Sequence, residues 1–462
     1  MHVNYVLAVV LEHGPGALDE PRLRVALDGA AGRHPAFHTF PGTAPAMDPE
    51  TVAPFALRVA VRTDAAQWLR EAEAELGTPF PPDEGARARF VLLPGSATSE
   101  LLLVADHFTT EGLSGTVLLR EMLTLLRDPA AVLPGVPAAP TPAELLPPEL
   151  REGILPAPAD RPRRRPSPPG VPGPDPVRIR THELSHAGTR GLAQACHRES
   201  THVHAALCAA WLRALAGTTP STAREDTTGT VGLPAAPHPA APTTGKAPDS
   251  EHTRRSVSSP VSVRGFLPPG GREVAGMYLT TLRTEVDVHP DRTLWQVARD
   301  VQQDLDLHTA APQLPELFAA GLARFASGHP PTADYDLSLT NLGVQEFGGP
   351  IRPADDSTAP EDDPAASGEG VAVRACYPLV NALPAERTVG VCTTGGRLHL
   401  AFTTFATDLD DRWAAAVLSA AVENLRLMVE RSGPGSAAGA AGQRPRNFSN
   451  PGGRVRFAGP AS

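Results

Sequence analysis

The chain is short of cysteine, of aromatic side chains and of positive charge, and each shortage narrows what it can be. Its four cysteines, Cys196, Cys208, Cys376 and Cys392, form neither a Cys-x-x-Cys pair nor a zinc spacing. That pattern fits reduced thiols rather than a disulfide framework. Acidic residues outnumber basic ones, for a formal charge of -10, which argues against a nucleic-acid-binding surface. No stretch approaches the ~20 apolar residues of a membrane span. The opening segment MHVNYVLAVVLEHGPG has no basic lead, and its apolar run stops at Glu12; it reads as a first strand, not a signal peptide. There is no glycine-rich phosphate loop, dinucleotide fingerprint or metal motif. The expectation is a soluble, cytoplasmic, monomeric protein with no nucleic-acid partner, no membrane span and no metal.

Loops, by contrast, are abundant. With 51 prolines and 41 glycines in 462 residues, long connections must join the packed parts. The length exceeds one ordinary core and predicts two lobes of roughly 170 to 250 residues each. The first 133 residues alternate strand and helix patterns. Val6–Leu11 is a strand. Asp19 caps a helix with Pro21 in its first turn and Leu23, Ala26, Leu27 and Ala30 on one face. That helix stops before Pro35. Phe55–Val61 is a second strand, followed by a helix capped by Asp64 that carries Trp68, Leu69 and Leu76. Strands Arg89–Leu93 and Leu101–Ala105 come next, then a helix over 112–127.

Residues 134–177 are too rich in proline for continuous helix and read as a linker or crossover. A second αβ series fills 178–432. Helices are expected at about 185–198 and 201–216, the latter capped by Thr201, with loop over 217–252. Strands follow at Val257–Val263 and Met277–Val286, then a helix lined by Leu294, Val297, Ala298, Val301 and Leu305. Strands Asp334–Leu339, Thr388–Thr393 and Arg397–Phe405 precede a last helix from Asp410 to Arg431. Residues 354–369 form an acidic insert, and 433–462 read as a disordered tail.

One segment carries chemistry. In Leu102-Leu103-Val104-Ala105-Asp106-His107-Phe108-Thr109-Thr110-Glu111-Gly112-Leu113-Ser114, a buried strand runs through a His-x-x-x-Glu-Gly turn directly into a helix. This sets an imidazole at the mouth of a sheet. With an unperturbed pKa of about 6.5, His107 can accept and return a proton near neutrality. The carboxylate four residues on can fix the local backbone or pair with a distant arginine. A lone histidine beside a strand is also a common structural residue, so the pattern by itself leaves both readings open.

The segment resembles the His-His-x-x-x-Asp-Gly motif of the condensation-domain superfamily of acyltransferases. The likeness extends along residues 1–431. Val6–Leu11 and Arg33-His34-Pro35 resemble the family's opening, and Pro79–Arg89, including Asp83 and Glu84, its approach to the sheet. Glu199–Leu207 resembles the helix start after the linker. Pro260-Val261-Ser262-Val263-Arg264 and Gly276–Arg283 resemble paired segments that end in an arginine. Thr340-Asn341-Leu342-Gly343 resembles a Ser-Asn-x-Gly turn of the acyltransferase branch.

The resemblance implies an α/β fold of two chloramphenicol-acetyltransferase-like lobes, a pseudodimer with a central tunnel. A thioester donor enters one side and a nucleophile the other, and His107 takes the nucleophile's proton. The co-substrate would be acyl-coenzyme A or a phosphopantetheinyl carrier thioester, with the carrier protein supplied in trans and no tightly bound cofactor. The product would be an ester or amide of a small-molecule acceptor, in secondary metabolism such as antibiotic biosynthesis. Asp106, Thr110, Ser114, Thr281, Ser338 and Asn341 would line the tunnel.

Two positions depart from the motif: Asp106 replaces its first histidine, and Glu111 its aspartate. Glu111 and Gly112 would be structural, with Glu111 paired to Arg283. If the longer carboxylate re-aimed the turn, the chain would instead be a noncatalytic scaffold binding a carrier-loaded intermediate. A cyclase or hydrolase using the same tunnel is a further reading. Among weaker candidates, Ser114 lacks the last glycine of a nucleophile elbow and reads as a helix-start residue. His182, His186, His197, His202 and His204 read as structural or surface groups, Asn341 as a tunnel or turn residue, and Arg161 and Arg163–Arg165 as linker, or as a contact for coenzyme A phosphate or an acidic carrier.

Overall fold

A computed structural model of the chain describes residues 3–38, 52–81, 85–151, 176–218, 253–269, 271–310, 313–326, 334–348, 370–381, 386–405 and 411–432. Asp83, Glu84, the arginines at 161–165, most of the 217–252 loop, the acidic insert and the 433–462 tail lie outside them.

The first sheet has five strands in the order β2-β3-β4-β1-β9: β1 (Asn4–His13), β2 (Ala56–Val59), β3 (Ala88–Leu93), β4 (Thr98–Asp106) and β9 (Val371–Asn381). β1 is central and almost wholly buried, which is why its sequence is a continuous apolar run rather than an alternation. One face packs on α1 (Glu20–Ala31) and α3 (Gly112–Arg127) through Leu7, Leu23, Leu27, Leu103, Leu118 and Met122. The other packs on α2 (Gln67–Gly77) and on the second sheet through Val6, Ala72, Leu76, Val104 and Ile179. Asp19 caps α1 as expected, accepting from the Arg22 amide at 2.8 Å. Asp64 accepts from the Ala66 amide at 2.8 Å, so it shapes the turn before α2 while Ala66 holds the cap position without a side-chain bond.

The second sheet has six strands in the order β5-β11-β10-β8-β6-β7. They are β5 (Val177–Leu184), β6 (Arg254–Ser262), β7 (Leu279–Asp287), β8 (Leu337–Val344), β10 (Thr388–Thr394) and β11 (Arg397–Phe405). α6 (Val203–Gly217), α7 (Leu294–Thr309) and α9 (Asp411–Arg431) cover one face, with Trp211 fully buried among them and its ring 4.8 Å from that of Phe402. Burying such a side chain contributes about 1.5–3 kcal/mol. α4 (Pro148–Arg151) is a single turn that packs near α8 (Gln313–Ala326); with α5 (His186–Arg198) these complete the α-helices among the described residues.

Three elements, β5, α8 and β9, stand where the sequence predicts none. A fourth, α6, is not capped by Thr201: its cap residue is His202, without a side-chain bond. β9 has the largest consequence. It comes from the second half of the chain yet pairs antiparallel with β1, from Asn4↔Asn381 to His13↔Val371. The chain then returns to the second sheet as β10, and the two backbones close so tightly that a Cβ at Gly390 would lie 1.8 Å from the Pro378 carbonyl oxygen. This strand from the second half of the chain completes the first sheet and touches the second at Gly390.

Candidate active site

The turn after β4 is built by Asp106. Its carboxylate Oδ1 accepts from the Phe108 amide at 2.9 Å. Its carbonyl accepts from the amides of Thr109 and Thr110 at 3.3 and 3.2 Å, and from the Thr110 hydroxyl at 3.3 Å. Asp106 Oδ2 also lies 3.9 Å from Arg87 Nη1. A short acidic side chain that closes its own turn is what this position needs, so Asp106 serves the backbone here. The His107 amide donates to the Val3 carbonyl at 2.8 Å, tying the turn to the start of β1.

The His107 ring is held from two sides. Nδ1 lies 3.0 Å from the Thr110 carbonyl oxygen. A carbonyl only accepts, so Nδ1 carries the proton and Nε2 keeps a free lone pair. Tyr5 and the imidazole pack edge to face, with centroids 5.3 Å apart and planes at 69°. The Tyr5 hydroxyl lies 3.2 Å from the Thr110 Oγ1, so Thr110, fully buried, links tyrosine and histidine. Burial lowers the His107 pKa from its ordinary value, against the opposing pull of the Thr110 carbonyl and Asp106. The ring is therefore neutral near pH 7, the form a general base requires.

Glu111 occupies the cap position of α3 without capping it, because its carboxylate is engaged elsewhere. Arg264 Nε donates to it at 2.6 Å. The same guanidinium donates to the Val274 carbonyl at 2.7 Å and to the Ser114 hydroxyl at 2.8 Å. Ser114 donates in turn to the Gly276 carbonyl at 2.9 Å and accepts from the Gly276 amide at 3.0 Å. Each of the three groups is buried, so a carboxylate, a guanidinium and a hydroxyl stitch the start of α3 to the 264–276 segment of the second lobe. Burial raises the Glu111 pKa, and Arg264 works against that rise. At Gly112 a Cβ would lie 2.9 Å from Leu342 Cδ2, so α3 starts in direct contact with β8.

The expected Glu111–Arg283 pair is not formed. Arg283 sits on the exposed side of the edge strand β7, where it meets Glu285 at 2.6 Å and the Asp334 carbonyl at 2.8 Å. It lies opposite Ser258, on the sheet face that carries Ser338 and Leu342, but at the end of that face far from Gly112, whereas the short helical turn at Arg264–Phe266, just past the end of β6, brings Arg264 to Glu111. Arg264 ends the other of the two arginine-bearing segments and was legible there. Tyr5 had no such signal, since its role depends on the Tyr5↔Ala105 register of β1 and β4. Ser114 is near the helix start as expected, but its hydroxyl belongs to the interlobe network. Asn341 shapes a turn: its Oδ1 accepts from the Gly343 amide at 2.8 Å, and Gly343 has φ +71°. Thr281 and Ser338 lie in β7 and β8, and His204 Nε2 meets the Ser259 hydroxyl at 2.9 Å. Among the described residues no group of three or more His, Cys, Asp or Glu side chains could hold a metal, and no helix is long and apolar enough to cross a membrane.

No protein-family model matches the sequence, and no curated protein does. Solved structures do match. Polyketide synthase associated protein 5 from Mycobacterium tuberculosis is 15% identical, with 93% of this chain and 95% of that one covered at a TM-score of 0.56. TRI3 trichothecene 15-O-acetyltransferase from Fusarium sporotrichioides is 14% identical, with 92% and 91% covered at 0.59. The first condensation domain of the CDA synthetase is 17% identical, with 93% and 91% covered at 0.56. At such identities the likeness is one of fold: this chain has the two-lobed α/β fold of these three proteins.

Proposed function

We propose that this chain is an acyltransferase that moves an acyl group from a thioester to a hydroxyl or amine of a small-molecule acceptor, with His107 as the general base. The observation that carries this reading is the Nδ1–Thr110 carbonyl contact, which leaves Nε2 of a neutral imidazole as the free base. Supporting it, proteins with this fold include an O-acetyltransferase and the first condensation domain of the CDA synthetase. Nε2 takes the proton of the acceptor O–H or N–H as the oxygen or nitrogen attacks the thioester carbonyl carbon. Collapse of the tetrahedral intermediate breaks the C–S bond, and the imidazolium returns the proton to the departing sulfur. The net products are an ester or amide and a thiol. The donor is acyl-coenzyme A or an acyl group on a carrier protein acting in trans, in a biosynthetic pathway of the secondary-metabolite type. That Glu111 reaches Arg264 while the histidine turn stays formed favours this reading over a noncatalytic scaffold.

The test is thiol release and product mass for wild type and His107→Ala, across coenzyme A and carrier thioesters with alcohol and amine acceptors. Acceptor-dependent thiol release should fall by about 10²–10⁴ in the variant. Silence of the wild type across the panel, or an unchanged rate in the variant, would count against it.

A further inference from the structure

The second sheet turns one face to its helices and the other toward the site, and oxygen atoms line that second face. Along β8, Leu337 and Leu339 sit in the core with α6, α7 and α9. Alternation therefore puts Ser338, Thr340 and Leu342 on the opposite face. Leu342 is the side chain against which Gly112 packs, five residues after His107. The face thus runs from the site back along β8, about 13 Å from Leu342 to Ser338 at ~3.3 Å per residue.

Its neighbours at the far level are polar too. Ser338 is flanked by Ser258 on β6 and Thr388 on β10, with Arg283 opposite Ser258 on β7. One step nearer the site, Thr281 stands opposite Pro260. The Ser258 hydroxyl is taken by Tyr335. Among the described residues, the hydroxyls of Ser338, Thr340 and Thr281 have no hydrogen-bond partner, although Ser338 is only 8% exposed and Thr340 half-buried.

Building on the acyl-transfer reading, we infer that the substrate chain seated along this face is oxygenated: an acyl or acceptor group with carbonyl or hydroxyl functions along its length, not a plain alkyl chain. An alkyl chain would strip water from the Ser338 and Thr340 hydroxyls and return no bond, whereas an oxygenated chain replaces the lost water. Ser338 and Thr340 are then specificity-determining residues.

The test uses matched pairs on the full chain. One arm fixes the acceptor and compares octanoyl with 3,5-dihydroxyoctanoyl thioesters; the other fixes an acetyl donor and compares octanol with an octanediol bearing an internal hydroxyl. The oxygenated member should show kcat/KM about tenfold higher in at least one arm, the size of one well-used hydrogen bond. Ser338→Ala/Thr340→Val, checked for folding by its melting curve, should erase that preference. Equal or better turnover of the alkyl member in both arms, or a preference unchanged in the double variant, would overturn the inference. If neither arm turns over, the transfer reading has failed separately. Calorimetric binding of the same alcohols and free acids then decides: about tenfold tighter binding of the oxygenated member supports the inference, and equal binding overturns it.

Discussion

Arg264 donates to the Glu111 carboxylate at 2.6 Å with both side chains buried, and this bond joins the helix that follows His107 to the second lobe. Removing either partner leaves a buried charge without its counterpart. Glu111→Ala and Arg264→Ala should each lose about 3–5 kcal/mol of stability, read from denaturant midpoints. A double-mutant cycle should show the two losses to be strongly non-additive. Additive losses would mean that the two side chains act independently.

Arg283 gives the opposite expectation. It and its partner Glu285 are both about two-fifths exposed, and exposed pairs contribute about 0–1 kcal/mol. Arg283→Ala should leave the midpoint within about 0.5 kcal/mol of wild type. A loss as large as that of Arg264→Ala would restore Arg283 to a structural role.

The contrast shows what the sequence could carry. Local signals were legible: the apolar run of β1, the Asp19 cap and the helical spacing of Val297, Ala298 and Val301 all stand in the structure. The histidine turn was legible because strand, turn and helix are contiguous. What was hidden depends on distant pairing. β9 joins β1 across more than 350 positions, so no local pattern announces it. Two arginines end comparable segments, and only the strand register, which sets Arg283 at the level of Ser258 and Ser338, and the turn after β6 decide which one meets Glu111.

His107 has a pKa lowered by burial, and both activity and stability should register it. Acyl transfer needs the neutral ring, so kcat/KM should rise with pH and level off below the ordinary histidine value of about 6.5. For stability the unfolded chain binds the proton first as pH falls, so the folded state loses stability between about 6.5 and the lowered value. His204, lowered to about 4 by burial and by His202, adds to this loss down to pH 4. NMR titration of the imidazole signals, with His107→Ala and His204→Ala for assignment, checks both. A midpoint for His107 at or above 6.5 would contradict the burial argument.

Tyr5 should act through His107 rather than on substrate. Its hydroxyl meets the Thr110 hydroxyl at 3.2 Å, and the Thr110 carbonyl fixes Nδ1. Tyr5→Phe keeps the ring packed on the imidazole and removes one hydrogen bond, worth about 1 kcal/mol. The expected result is a kcat lower by roughly fivefold, with KM unchanged and the acid limb of the pH profile displaced. A KM effect with an undisturbed pH profile would place Tyr5 against the substrate instead.

The strand exchange makes a last, purely steric demand. At Gly390 an added methyl would lie 1.8 Å from a backbone oxygen of β9, which no side-chain rotation can relieve. At Gly343 the surroundings are open, and only the positive φ opposes a side chain, a cost of about 1–2 kcal/mol. Gly390→Ala must therefore part β9 from β10, and it should cost more than Gly343→Ala although both add one carbon. If the crossing is also what holds the two sheets in place, Gly390→Ala should raise hydrogen exchange along β9 and β1 together, while Gly343→Ala leaves those strands protected. Equal stability losses, with exchange confined to β10, would show that the sheets hold together without the close approach at Pro378.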